Sequence, residues 1–71
     1  MLSEAMQKAY NFNQRAKAEK REGNMSKSKE YYREKVKYIK QAMKENNYKK
    51  KGNSIKFFVD GHKVTSFHLY K

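Results

Sequence analysis

The chain has 71 residues, 18 of them Lys or Arg against 7 Asp or Glu, for a formal net charge of +11. At this length one small domain is the limit, burying only about 60% of the surface its unfolded form exposes, which argues against a second domain or a deep catalytic cleft. The absence of cysteine excludes disulfide staples, thiolate metal sites and a cysteine nucleophile together.

In chain order, residues 3–22 read as a helix. Ser3 serves as N-cap, and Glu4 stands where the positive end of the helix dipole favours it. At about 100° per residue, Leu2, Ala5, Met6, Ala9, Phe12 and Ala16 share one face, interrupted by Asn13. Ala9 and Ala16 are small enough to let a second helix approach closely. Gly23 ends the helix by supplying a left-handed residue. With Asn24 or Ser26 as cap, a second helix covers residues 26–46, free of Gly and Pro, with an apolar stripe of Met25, Tyr32, Val36, Ile39 and Met43. The short connection predicts an antiparallel helical hairpin, with one long helix bent at Gly23 as the alternative.

Residues 47–53 break the helical period and read as a basic loop. From Ser54 the composition turns β-branched and aromatic, and Asp60-Gly61 between two such runs predicts a β-hairpin over 54–70. A three-residue turn closed by Gly61 with a bulge places Ile55, Phe57, Phe67 and Leu69 on one face and Lys56, Phe58, Val64, His68 and Tyr70 on the other. A two-residue turn groups Ile55, Phe57, Val59, Val64 and Tyr70 instead. The first segregates apolar residues better and is preferred. The fold class is therefore α+β, a helical hairpin followed by a C-terminal β-hairpin (ααββ) whose two edges are open to a partner strand.

Charge acquires a pattern on the second helix. Lys29, Arg33, Lys37, Lys40 and Lys44 are spaced 4, 4, 3 and 4 apart and form one cationic row, with Glu30, Glu34 and Glu45 beyond it. Lys49, Lys50 and Lys51 extend the positive surface. Net charge rises along the chain, from +2 over residues 1–24 to +4 over 25–48 and +5 over 49–71. A basic row is often only a solvated face that aids solubility. The regular spacing and the adjacent lysine triplet favour a polyanion partner, RNA or single-stranded DNA, held by phosphate contacts with weak sequence specificity, because Lys predominates over Arg. Among ten Phe and Tyr, several lie within two residues of a lysine, including Tyr31, Tyr38, Tyr48, Phe58 and Tyr70. Phe58 and Tyr70, opposite the core face and near Lys56, are the preferred stacking platforms for bases.

Other chemistry is thin. His62, His68 and Asp60 do not make a metal site, and no nucleotide loop, nucleophile elbow or paired carboxylates occur, so neither a metal nor a cofactor is expected and the reading is non-enzymatic. Asn24-Met25-Ser26 matches a glycosylation sequon but reads as helix capping. A residual alternative is a small toxin ribonuclease using His68 and Tyr70 beside Lys56. The main rival is a phage- or plasmid-encoded accessory factor that inhibits a host protein (a nuclease, toxin or defence component) through the hairpin edge. On either reading the working form is expected to be a homodimer or partner-bound. The longest apolar run, Phe57-Phe58-Val59, is far below the roughly 20 residues of a membrane span. Met1-Leu2-Ser3-Glu4 lacks a signal peptide's layout, so a cytoplasmic location is expected.

Overall fold

Local signals set both helices of the computed structural model, which describes residues 2–69. The Met6 N–H donates to Ser3 Oγ at 3.3 Å, capping helix α1 (Glu4–Arg21). The helix closes with a left-handed Gly23 (φ 84°): its N–H bonds the Lys20 carbonyl at 3.1 Å, and the Asn24 N–H bonds that of Glu19 at 2.9 Å. That paired closure is the Schellman pattern, and it favours glycine because an L side chain resists this φ. Helix α2 (Met25–Glu45) follows at once, with Asn24 as N-cap. The Asn24 amide makes no cap bond and donates instead to Glu19 Oε2 at 2.8 Å. The chain is thus a helical hairpin and not a single bent helix.

Three strands complete an α+β fold. Strands β1 (Asn47–Lys51), β2 (Ser54–Val59) and β3 (His62–His68) form an antiparallel meander in the order β1-β2-β3. The expected basic loop at 47–53 is therefore largely a strand. Every β1 residue is exposed, so its extension comes from pairing with β2 and not from an apolar face of its own. Gly52 (φ 59°) and Asn53 make the tight turn that returns the chain. Because β1 covers one side of β2, the two-stranded hairpin with both edges open does not occur. The free edges belong to β1 and β3.

The second turn also differs from expectation. Val59 pairs with His62, so Asp60 (φ 52°) and Gly61 (φ 81°) form a two-residue turn, and both positive φ values are those of the primed type that matches strand twist. The irregularity sits farther along, where Phe57 faces Thr65 but Phe58 faces Lys63. Val64 is the extra residue of this bulge. Ile55, Phe57, Phe67 and Leu69 are buried as the preferred register predicts, whereas Val64 packs against the core and not on the opposite face. The bulge turns it inward.

The core joins both layers: Ala5, Met6 and Ala9 of α1, Ile39 and Ala42 of α2, and Ile55, Phe57, Phe67 and Leu69 from the sheet. Phe57 and Phe67 meet edge to face at 6.1 Å, a favoured aromatic geometry. Small residues bring the helices together as expected, with the Ser28 hydroxyl donating to the buried Ala16 carbonyl at 2.9 Å. The buried face of α2 is Ser28, Lys35, Ile39 and Ala42. Met25, placed in the apolar stripe by periodicity, is 41% exposed. The packed face is turned toward α1 because Ser28 and Ala42 permit closer contact than Met25 or Met43.

Candidate nucleic-acid interface

The row Lys29, Arg33, Lys37, Lys40 and Lys44 is exposed throughout its length. Counting about 100° per residue, its centre lies roughly 150° around α2 from the centre of the buried face. A helix rises about 1.5 Å per residue, so the row extends over about 22 Å. Arg33, Lys37, Lys40 and Lys44 line one shallow surface depression with exposed Gln41 and half-buried Val36, and Lys29 stands one turn before it. Among the described residues the sole ion pair is Glu4 with Lys8, at 3.1 Å on α1. No carboxylate makes an ion pair with the row among the described residues, although Glu30 and Glu34 flank it three residues before Arg33 and Lys37.

This arrangement runs against the stability of the isolated helix. Like charges at three- and four-residue spacing cost roughly 0.2–0.5 kcal/mol per adjacent pair. The first turn of α2 holds Lys27 and no acid, although the dipole favours acids there. A surface built for folding alone would alternate signs. Repulsion concentrated on one face is relieved by a polyanion laid along it.

The sheet contributes a second basic surface. Register places Asn47, Lys49 and Lys51 on the outer side with Ser54, Lys56 and Phe58, so Lys49 and Lys56 stand directly opposite each other. The Lys49 ammonium lies 5.5 Å from the centre of the half-buried Phe58 ring. Lys50 pairs with Ile55 and so projects to the helix side, separated from Lys49 and Lys51. The triplet is not one cluster, because adjacent strand residues alternate faces. Lys63, absent from the candidates above, pairs with Phe58 from β3. The Asp-Gly turn read as two residues places it there.

The aromatic candidates divide. Tyr38 stacks on Phe12 at 5.7 Å with 6° between the planes, and Tyr31 meets the same ring at 6.0 Å, so both are engaged in joining the helices. Tyr48 is exposed on β1. Tyr70 lies outside the described residues. His68 is exposed on β3, paired with Ser54, and no group of three or more His, Cys, Asp or Glu able to hold a metal occurs among the described residues. No helix among them is long and apolar enough to cross a membrane.

The clearest surprise is Lys35, 5% exposed on the buried face of α2. Its ammonium sits 5.3 Å from the centre of the Tyr32 ring, and its pKa is lowered, first by burial and second by the charge of Lys17. Counting seven, four and three residues on from Ser28 passes through Lys35, Ile39 and Ala42, so the position was visible in the spacing and hidden by its charge. No family model, curated protein or solved structure matches the chain at a significant level.

Proposed function

We infer that the chain is a non-enzymatic nucleic-acid-binding protein that grips the phosphate backbone of RNA or single-stranded DNA along the outward face of α2. The observation that carries this reading is the row of five exposed cations, continuous over the helix and without an ion pair among the described residues. Lysine ammoniums act as point charges on phosphates and do not read base edges in pairs, so affinity should vary little with sequence. Lys49, Lys51, Lys56 and Lys63 around Phe58 supply a second patch where an unpaired base can stack.

Direct binding of labelled single-stranded RNA, single-stranded DNA and duplex DNA at low salt tests the reading. The charge-reversed variant K37E/K40E/K44E should lose affinity for every sequence to a similar degree while keeping its helical circular dichroism. Absence of binding by the wild type near 50 mM salt, where phosphate contacts are strong, would overturn it. So would unchanged affinity in the charge-reversed variant.

A further inference from the structure

A cleft of about 440 Å³ opens where α1, α2 and β3 meet, on the side of α2 that the lysine row does not use. Lys35 forms part of its wall. The stem of this residue is buried, yet no buried side-chain nitrogen among the described residues lacks a hydrogen bond, and none is made by Lys35, so its ammonium keeps solvent contact at the cleft. Lys17 of α1 lines the same space, and among the described residues no carboxylate pairs with either cation. Two neighbouring ammoniums, one on a buried stem, are costly to hold without a counter-charge. The depressed pKa of Lys35 expresses that cost.

The rest of the lining is suited to a polar, partly flat ligand. Asn13 and Gln14 bring amides from α1 and Thr65 a hydroxyl from β3, whereas Ser66 and His68, paired with Lys56 and Ser54, border the cleft with their side chains on the outer side of the sheet. Tyr10, Tyr32 and Phe67 supply rings, and no Asp or Glu takes part. The volume falls within the roughly 300–1,000 Å³ usual for small-molecule sites. A phosphate monoester near neutral pH carries close to two negative charges, which matches two cations better than the single charge of an internal phosphodiester.

We propose that this cleft binds a nucleotide by its phosphate monoester, with Lys17 and Lys35 holding the phosphate and the rings of Tyr10 and Tyr32 flanking the base. The site stands apart from the α2 row, so it goes beyond the backbone-binding reading and does not depend on it. The phosphate has two sources, a free mononucleotide or the phosphorylated end of a strand.

The test titrates adenosine 5′-monophosphate, adenosine and inorganic phosphate into the protein, followed by amide chemical shifts and calorimetry. The nucleotide should bind with shifts centred on Lys17, Lys35 and Thr65, and more tightly than adenosine. Lys35→Met removes a charge-assisted contact and should weaken the nucleotide roughly 10- to 100-fold while leaving the affinity of a 5′-hydroxyl oligonucleotide intact. K37E/K40E/K44E should do the reverse. Competition then separates the sources: displacement by a 5′-phosphorylated oligonucleotide but not its 5′-hydroxyl form identifies a strand end, and displacement by neither identifies a free nucleotide. Equal displacement by both would show a general polyanion surface and overturn the proposal. Nucleotide affinity unchanged in folded Lys35→Met, or no shifts at the cleft, would overturn it as well.

Discussion

Replacing the row lysines by glutamine one at a time turns the charge pattern into a number. Five phosphate contacts predict a slope of log affinity against log salt of about −3.5 on single strands and −4.5 on duplex DNA. Between 50 and 200 mM salt the wild type should therefore lose about 130- to 500-fold in affinity. K37Q/K40Q/K44Q leaves Lys29 and Arg33, and the same salt change should then cost only about 7- to 12-fold. Each single replacement should reduce the slope by about 0.7–0.9, whichever row lysine is chosen. Lys20→Gln, an exposed cation on α1, is the control and should leave the slope unchanged. Fluorescence anisotropy of a labelled unstructured RNA across a salt series reads all of these. Equal slopes in the wild type and the triple variant would refute the assignment of binding to α2 even if affinity were high.

Three further outcomes follow from packing and charge. Phe57→Ala empties the most voluminous fully buried position and should cost about 3–5 kcal/mol, enough to unfold a domain this small, as a urea titration will show. Phe58→Ala, on the half-buried outer face of the sheet, should change stability far less but weaken single-strand binding by about 1–3 kcal/mol with no change in salt slope. Lys35→Met removes an uncompensated cation and should stabilise the fold by on the order of 1 kcal/mol at neutral pH, raising Tm by about 4–8 °C. The sign with pH follows from the lowered pKa. The unfolded chain holds the Lys35 proton more tightly, so the penalty is complete below the folded pKa and disappears as pH rises from there through the ordinary value of 10.5. The charged or titratable neighbours are Lys17 and Tyr10 from α1, Tyr32 from α2 and His68 from β3. The wild type should therefore gain on Lys35→Met as pH rises, and a constant difference in thermal denaturation would contradict the burial argument.

What the sequence made legible was local. Ser3, Gly23 and Asp60-Gly61 act through their own backbone geometry, and each punctuates the chain where its chemistry predicts. Gly52-Asn53 is a hairpin signal of the same kind, but Asn47–Lys51 has no apolar alternation to mark it as a strand. The ladder to β2 decides its conformation, and pairing is not a property of the segment alone. The places of Val64 and Lys35 are not legible for a related reason. A bulge and a buried charge both depend on what lies across the fold, whereas exposure of the α2 row required only helical periodicity.

The meander has a bearing on how the protein forms. The main backbone contacts join neighbours in sequence, α1 with α2, β1 with β2 and β2 with β3. Short loops keep closure entropy small, and mostly local pairings favour rapid folding. During synthesis α1 and α2 precede the strands, so Ala9, Ile39 and Ala42 remain uncovered until Ile55, Phe57 and Phe67 arrive. In that interval the nascent chain is an amphipathic helical pair of high positive charge. Mutual repulsion between such chains opposes their association through the uncovered face, a role for the α2 cations that requires no ligand.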